Sequence, residues 1–357
     1  MTATRIPVTG PQPYEVVIGT GVRAELPSLL SSVDRVGLIH PPTLRALADE
    51  VQAELAGAGF AVCRIEIADG EDAKTLAVAG MCFDRLAEAG FTRSDALIGL
   101  GGGATTDLAG WVAASWLRGV RVVQLPTTLA GMVDAAIGGK TGINIERGKN
   151  LVGAFHPPIG VLCDLSTLST LPAADYVAGL AEVVKCGFIA DPTILDLLEI
   201  EPGLVVQPGN PYERELIERS VSVKATVVSQ DLTEQGLREI LNYGHTLAHA
   251  IEKAENYRWR HGATVSIGLV FVAEVARLLG RLDEDSVDRH RRVLSSLGLP
   301  VTYQGSDWTT LLDTMRLDKK ARGNRLRLVL LEGLAKPTTV DIEDLSVLQA
   351  AFSEVTA

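Results

Sequence analysis

The stretch DALIGLGGGATTDLAGWVAASWLRG, residues 95–119, decides the fold. Its first part, residues 95–103, is an apolar run that ends in three glycines, which predicts a strand entering a tight turn into a helix. Because glycine has no side chain, the backbone of Gly102 and Gly103 can approach a pyrophosphate, and a helix start offers unpaired N–H groups. The alternative is a purely structural turn, since three adjacent glycines are not the spaced GxGxxG pattern.

Further strands are predicted on both sides of this stretch. Apolar runs at residues 14–21, 35–40, 60–67, 121–128 and 161–165 alternate with helical patterns such as residues 44–55. This alternation predicts crossover connections and a mostly parallel, Rossmann-like α/β sheet. A length of 357 residues suggests two domains. We expect an α/β domain at residues 1–172 and a mainly α-helical domain at residues 173–357.

Three of the six histidines fall in REILNYGHTLAHAIEKAENYRWRH, residues 238–261. Interpreted as one helix, this stretch aligns Arg238, Asn242, His245 and His249 as a polar stripe between apolar flanks. Such a stripe is typical of a cleft wall, and paired histidines indicate metal binding or acid–base chemistry. The alternative is that they are satisfied core or surface histidines. His261 opens the next predicted helix.

Two other segments contain candidate functional residues. Residues 179–189 are apolar except for Glu182 and Lys185, which either pair with each other at i,i+3 or leave Glu182 as a metal ligand. The glycine-rich residues 131–155 predict a long loop unlike a regular element. Its lysines, Lys140 and Lys149, suit a phosphate or carboxylate, with a solvated surface hairpin as the alternative.

Composition excludes several functional classes. A formal net charge of −11 without a Lys/Arg run argues against nucleic acid and an anionic membrane. Four dispersed cysteines without a CxxC pair predict buried, reduced thiols and a cytoplasmic protein. The first ten residues do not resemble a signal peptide. No apolar run is expected to be long enough to span a bilayer.

The segments together resemble a known family. GGGATTDLAGWVAASWLRG, LPTTLAGMVDAAIGGKTGIN, GKNLVGAFH, TLSTLP, GLAEVVKCG, EILNYGHTLAHAIE, RHG and DKK occur in the order found in the 3-dehydroquinate synthases. The resemblance covers nearly the whole chain. It implies an N-terminal NAD-binding domain, a C-terminal helical metal domain, an active site between them and a homodimer.

The resemblance also implies site residues. One divalent metal, zinc or cobalt, is expected on Glu182, His245 and His261, which moves His249 from the metal to the substrate phosphate. The implied NAD contacts are Asp69, Glu71, Lys74, Gly102, Gly103, Asp107, Thr127, Thr128, Asp134, Lys140, Lys149, Thr167, Thr170 and Leu171. The implied substrate contacts are Lys140, Asn150, Lys185, Lys224, Glu234, Arg238, Asn242, His249, Lys319 or Lys320 (of which we adopt Lys320) and Arg118, which is expected to act in the neighbouring subunit.

The chemistry implied by the family explains these cations. The substrate, 3-deoxy-D-arabino-heptulosonate 7-phosphate, carries a carboxylate and a phosphate, so local positive charge is needed on an acidic protein. Transient oxidation by NAD, β-elimination of phosphate, re-reduction and an intramolecular aldol step give 3-dehydroquinate. His40 departs from the acidic or amide residue that many relatives have near the adenine ribose. His156 and His290 are predicted at the surface.

Three rival functions are considered. A sibling sugar-phosphate cyclase would share the NAD and metal residues but act on another sugar phosphate, and Arg238, Asn242 and Lys224 favour a carboxylate-bearing substrate instead. A metal-dependent polyol dehydrogenase would accumulate NADH, and the GGKTGIN and GKN segments argue against it. A non-catalytic NAD-binding protein would leave Glu182, His245 and His261 without a purpose.

Overall fold

A computed structural model describes residues 3–319 and 326–356. Two compact units are present. The first unit consists of Met1–Leu171 with Lys224–Leu232, and the second unit consists of Pro172–Val223 with Thr233–Ala357. Lys224 therefore lies in the first unit.

Among the described residues, strands and helices alternate through the first unit, and the second unit is mostly helical. The strands are β1 (Thr4–Val8), β2 (Tyr14–Gly19), β3 (Arg35–His40), β4 (Ala61–Glu66), β5 (Ala96–Gly101), β6 (Arg121–Pro126), β7 (Lys140–Ile145), β8 (Gly148–Phe155), β9 (Gly160–Asp164), β10 (Leu326–Leu331) and β11 (Pro337–Ile342). The α-helices are α1 (Leu26–Leu29), α2 (Arg45–Gly57), α3 (Leu76–Glu88), α4 (Gly103–Ser115), α5 (Ala173–Ile189), α6 (Pro192–Ile200), α7 (Pro202–Val205), α8 (Glu213–Gln230), α9 (His245–Ala254), α10 (His261–Leu278), α11 (Glu284–Ser296), α12 (Trp308–Lys319) and α13 (Leu345–Glu354). Short 3₁₀ helices cover Val22–Glu25, Pro42–Leu44, Gly70–Ala73, Trp116–Arg118, Leu165–Thr170 and Leu237–Asn242, and a π-helical turn covers Gly131–Ala135.

A seven-stranded sheet forms the centre of the first unit. Its strand order is β1-β2-β9-β6-β5-β3-β4. The β1–β2 pair is antiparallel and the remaining neighbours are parallel. All six residues of β5 are buried, as expected for a strand covered on both faces. The predicted parallel α/β fold is confirmed.

Successive residues of each strand face opposite helical layers. On one face, Leu38 and Ile98 pack in a cluster with Val51 of α2. On the other face, Leu97 packs with Leu108 of α4 and with residues of α3. This alternation follows from the two-residue period of a strand. It leaves the carboxyl ends of β5 and β6 beside the start of α4, where ligands bind in such sheets.

Helix α10 forms the centre of the second unit. It packs against α5, α9, α11 and α13. By length and composition it could cross a membrane, so the expectation that no run reaches that length was wrong. However, 78% of the helix is buried inside the protein, as in the core helix of a globular protein. A two-stranded antiparallel ribbon, β10–β11, adds to this unit, and the prediction of a mainly helical C-terminal part is confirmed.

Three local predictions were wrong. Residues 140–155 form the β7–β8 hairpin, which was the alternative considered, and not the irregular loop that was preferred. Residues 238–261 do not form one helix, because a 3₁₀ segment ends at Asn242 and Gly244 has a φ of +80° before α9 begins. His290 is fully buried and stacks on Phe188, with 3.4 Å between ring centroids.

Two further features qualify the sequence predictions. His156 is half-buried, and its Nε2 lies 2.8 Å from the carbonyl oxygen of Val120. All four cysteines carry a thiol, but Cys63 is only half-buried whereas the other three are buried. Burial raises the pKa of the Cys82 thiol to about 12, so this cysteine remains protonated.

Candidate active-site residues

Glu182, His245 and His261 converge in the second unit. Glu182 lies in the middle of α5, and the two histidines are the first residues of α9 and α10. The Oε1 atom of Glu182 lies 3.3 Å from Nε2 of His245 and 3.0 Å from Nε2 of His261. One ligand atom from each residue lies within 4.8 Å of the others. A carboxylate and two imidazoles in this arrangement are a typical donor set for a divalent transition metal.

The other ring nitrogen of each histidine has an oxygen partner. Nδ1 of His245 lies 3.1 Å from the carbonyl oxygen of Tyr243, and Nδ1 of His261 lies 2.6 Å from Oε1 of Glu252. Because these oxygens accept hydrogen bonds, Nδ1 is the donor in both rings. In the neutral form of each ring, which is the form that binds a metal, the lone pair is then on Nε2, which faces Glu182. Metal-ligating histidines are oriented in this way, so the residues present fit the expected metal.

Direct backbone contacts set the spacing of the three helices that carry Glu182, His245 and His261. A Cβ atom on Gly262, next to His261, would lie 1.8 Å from the carbonyl oxygen of Ala178 in α5. A Cβ atom on Gly268 of α10 would lie 2.0 Å from the carbonyl oxygen of Gly244, which precedes His245. Only glycine permits either approach.

The electrostatics of the cluster favour positive charge. Burial opposes ionisation of Glu182, but the charge of Lys185 and the hydrogen bonds of the two histidines hold its pKa well below the usual value. Lys185 forms an ion pair with Oε2 of Glu182, which is the i,i+3 pairing anticipated as one alternative. Burial disfavours an imidazolium at His261, but hydrogen bonds to Glu182 and Glu252 and their charges raise its pKa to about 9. These surroundings attract a cation of either kind, proton or metal.

The third histidine of the stretch lies beside this cluster. The ring centroid of His249 is 5.5 Å from that of His245 and 6.3 Å from that of His261. Asn242 donates from Nδ2 to Oε1 of Glu234 at 2.8 Å. Arg238 is buried within the 3₁₀ segment. The second unit thus groups a carboxylate, an amide and an arginine of the predicted substrate set in residues 234–242.

In the first unit, several predicted NAD residues surround the buried Lys74. Asp69 caps the turn at Gly70–Ala73 by accepting a hydrogen bond from the Gly70 amide. Lys74 is 1% exposed, and its Nζ lies 2.6 Å from Oδ2 of Asp107 in α4 and 2.5 Å from Oδ1 of Asn150. Burial raises the pKa of Asp107, although the positive charge of Lys74 opposes the shift.

The glycine turn brings the start of α4 close to neighbouring segments and leaves its N-terminal amides without a side-chain cap. Gly102 occupies the N-cap position, where no side chain accepts a hydrogen bond from the helix. A Cβ atom on Gly102 would lie 3.1 Å from Thr128, and one on Gly103 would lie 3.0 Å from Ala135. A helix N-terminus of this kind, bare of side chains, accommodates a pyrophosphate, so the residues fit a dinucleotide.

Other predicted residues of the first unit lie after its strands, in the π-helical turn (Asp134) and in α8 (Lys224). Thr127 and Thr128 follow β6, and the Thr127 amide donates to the Gly101 carbonyl oxygen at 3.0 Å. The Nζ atom of Lys224 lies 2.7 Å from Oδ1 of Asp134. The 3₁₀ segment after β9 contains Thr167 and Thr170 and is followed by Leu171.

Three further cations were predicted to contact the substrate. Lys140 begins β7 and is exposed. Arg118 has a φ of +68° in the turn before β6. Lys320 lies outside the described residues, and Lys319 is the last residue of α12.

Family models match most of the chain. The model described as 3-dehydroquinate synthase N-terminal matches residues 64–178, and the model described as 3-dehydroquinate synthase C-terminal matches residues 179–321. The chain belongs to the 3-dehydroquinate synthase family. Among curated members, the 3-dehydroquinate synthase of Streptomyces avermitilis is 57% identical over 356 residues, which are 99% of this chain and 98% of that protein.

This family member also resembles solved sugar-phosphate cyclases. A 2-epi-5-epi-valiolone synthase from Streptomyces hygroscopicus, solved with NAD+ and Zn2+ bound, is 28% identical with a TM-score of 0.89, and the match covers 99% of each chain. A 2-deoxy-scyllo-inosose synthase complexed with carbaglucose-6-phosphate, NAD+ and Co2+ is 26% identical with a TM-score of 0.87, covering 99% of this chain and 100% of that one.

The structure adds residues that the sequence analysis of this 3-dehydroquinate synthase family member missed. Glu252 contacts His261, and the Tyr243 carbonyl contacts His245. Asn144 connects Glu71 with the backbone of Asn150. One signal was available: Glu252 is an acidic residue in an apolar helix, three positions after His249. The roles of Asn144 and Tyr243 depend on contacts that local sequence does not encode.

Proposed function

We propose that this protein is an enzyme that converts 3-deoxy-D-arabino-heptulosonate 7-phosphate into 3-dehydroquinate and phosphate, a step of the shikimate pathway. The observation that supports this proposal most strongly is the convergence of Glu182, His245 and His261 in a chain that belongs to the 3-dehydroquinate synthase family. The reaction makes it a carbon–oxygen lyase dependent on NAD and one divalent metal, zinc or cobalt.

The cofactors would be held by separate sets of residues. Glu182, His245 and His261 would bind the metal, and Glu252 and the Tyr243 carbonyl would orient the two imidazoles. The turn after Asp69 and the glycine turn before α4 would bind NAD. When bound, NAD supplies reversible hydride transfer and the metal supplies Lewis acidity.

The protein side chains would bind and orient the anionic substrate. An arginine fork matches a carboxylate, and the buried Arg238 beside Asn242 suits that role. Lys140, Asn150 and His249 would bind the phosphate, with Lys320 and a partner subunit's copy of Arg118 adding charge. Local cations are needed because the protein has a net charge of −11 and would otherwise repel this substrate.

The remaining polar residues would hold the sugar hydroxyls and the lysines in position. Lys185 would stay charged beside Glu182, and Lys224 beside Asp134, because each ammonium group has a carboxylate partner. Glu234 would orient the amide of Asn242. These fixed charges and dipoles orient the reacting carbons without having to reorganise during the reaction.

We extend the proposal to assembly and location. A homodimer is proposed because Arg118 is assigned to a neighbouring subunit's phosphate site. A cytoplasmic location is proposed because all four cysteines carry a thiol.

The test is a paired assay of metal-loaded protein with the heptulosonate phosphate and NAD. Phosphate release and NADH accumulation are followed together, with and without a chelator. We expect stoichiometric phosphate and 3-dehydroquinate, no net NADH, and loss of turnover with the chelator. Steady NADH without phosphate would identify a dehydrogenase instead. Turnover only of a sugar phosphate without the carboxylate would identify a sibling cyclase. The Glu182→Gln variant serves as the metal-site control.

A further inference from the structure

The β7–β8 hairpin has an irregularity at one residue. Pairing is regular from Lys140 opposite Phe155 to Ile143 opposite Val152, and the register shifts between Ile143 and Ile145. Asn144 lies at this shift and is half-buried. A bulge of this kind takes a residue out of strand pairing and redirects its polar groups.

The polar groups of Asn144 bind two other segments. Its backbone amide donates to the carbonyl oxygen of Lys74 at 2.7 Å, and its Nδ2 donates to Oε2 of Glu71 at 2.7 Å. Its Oδ1 accepts from the backbone amide of Asn150 at 2.9 Å. Asn144 thus connects the turn at residues 71–74 with strand β8 of its own hairpin.

Two side-chain contacts complete the connection. Lys149 forms an ion pair with Glu71 through Oε1, 3.0 Å away, so the two oxygens of Glu71 are shared between Lys149 and Asn144. The Asn150 side chain binds Nζ of Lys74. Asn150 has a φ of +56°, a left-handed conformation that is uncommon outside glycine and that the hydrogen bond from its amide to Asn144 helps to hold.

We propose that Asn144 is a positioning residue that locks Lys149 and Asn150 against Glu71 and Lys74. The inference rests on the proposed function, because Glu71, Lys74 and Lys149 are proposed NAD contacts and Asn150 is a proposed substrate contact. One amide therefore couples the geometry of the cofactor site to that of the phosphate site. Residue 144 must both donate and accept, which no carboxylate does when ionised.

The substitutions separate the two side-chain bonds. Asn144→Asp keeps the acceptor for the Asn150 amide but places a negative charge beside Glu71. Asn144→Leu removes both bonds at similar volume, and Asn144→Ser is a second neutral variant should the leucine variant fail to fold. Thr141→Val is the matched control, because it removes a hydrogen bond to the Ala154 carbonyl oxygen within the same hairpin without touching Glu71.

Two measurements test the inference. Hydrogen exchange of the Asn150 amide should accelerate in Asn144→Leu and Asn144→Ser and stay slow in Thr141→Val. In calorimetry with NAD alone, the Kd should rise about tenfold in Asn144→Asp and in Asn144→Leu, as expected when a hydrogen bond to a charged group is lost. The KM for substrate should rise in Asn144→Leu more than kcat falls, whereas a general loss of folding would lower the active fraction without changing KM.

The outcomes separate this inference from the proposed function. Two results overturn the positioning role even if the wild-type protein releases phosphate. One is unchanged hydrogen exchange of the Asn150 amide in Asn144→Leu, and the other is an NAD affinity of Asn144→Leu equal to that of Thr141→Val. Absence of phosphate release by the wild-type protein contradicts the proposed function, whereas faster exchange and weaker NAD binding in the variants still support the positioning role.

Discussion

The Nδ1 atom of His261 lies 2.6 Å from Oε1 of Glu252, one helix away in the second unit. When a metal replaces the proton on Nε2, this buried carboxylate keeps the remaining proton on Nδ1. We predict that Glu252→Ala lowers zinc or cobalt affinity about 10- to 100-fold, and that Glu252→Gln has a smaller effect because its amide oxygen still accepts. Chelator competition on purified protein measures the affinity.

Glu255→Gln is the control for that experiment. Glu255 lies three residues further along, and its Oε1 accepts a hydrogen bond from Tyr303 at 2.7 Å. Its substitution should leave metal affinity unchanged. Equal affinities in all three variants would show that Glu252 does not orient His261.

The three adjacent histidines give a second prediction. His245→Ala and His261→Ala should each lose bound metal on dialysis, because each removes one of three ligands. His249→Asn should retain one metal per chain but lose most of the phosphate release. Metal content by mass spectrometry, measured beside activity, checks both. Metal loss from His249→Asn would instead make His249 a metal ligand, as its four-residue spacing from His245 alone suggested.

The buried pair of Lys74 and Asp107 makes a third prediction, about stability. Removing one partner leaves the other charge buried without compensation, so Lys74→Met should destabilise the NAD-free protein by about 3 kcal/mol. The double variant Lys74→Met/Asp107→Leu should recover part of this loss. Urea unfolding measures both, and a double variant less stable than Lys74→Met would contradict the explanation.

His290 makes a fourth prediction, for the pH dependence of stability. Burial lowers its pKa to about 3 from an ordinary value of 6.5, although a hydrogen bond to the Ser286 carbonyl oxygen opposes the shift. Between pH 6.5 and 3 the unfolded chain therefore binds a proton that the folded chain does not. The contribution of the neutral, buried His290 to the free energy of unfolding is fully present above pH 6.5 and falls by about 1.4 kcal/mol per pH unit between pH 6.5 and 3.

The measurement is urea unfolding of the wild-type protein and of His290→Gln at pH 7.5, 6 and 5. The glutamine can still bind the Tyr243 hydroxyl, which lies 2.9 Å from Nε2 of His290. The wild-type protein should lose more free energy of unfolding than the variant as the pH falls. Parallel losses in the two proteins would assign the pH dependence to other groups.

Parts of the fold could be predicted because they depend on local pattern. The strand predicted at residues 35–40 matches β3 residue for residue, since the four residues between Arg35 and His40 carry no polar side chain and are buried, as in a strand covered on both faces. The hairpin at residues 140–155 was only the alternative interpretation, because the segment is rich in glycine and apolar residues such as Leu151 and Phe155 are exposed. The break at Gly244 was also missed, because the apolar residues on both sides of it continue a helical pattern.

Within the candidate site, contacts between residues close in sequence could be predicted, whereas contacts between distant segments could not. The pairing of Glu182 with Lys185 could be anticipated from their three-residue spacing. Asn144 could not be found, because its partner Glu71 is 73 residues away and the hydrogen bond between them depends on a bulge. Family resemblance identified the proposed ligand-binding residues, whereas most of their hydrogen-bond partners were visible only in the folded chain.

The glycines between the ligand-bearing helices limit how this centre can change. At Gly262 and Gly268 the helix α10 meets carbonyl oxygens directly, so the separations of the helices that carry the proposed metal ligands are set by backbone atoms that have no rotamers. Adapting the centre to a larger or smaller ion would therefore require exchanging a ligand for one of another length. In laboratory evolution for a new metal preference, we expect substitutions to accumulate at the ligands and their hydrogen-bond partners and to avoid these two glycines.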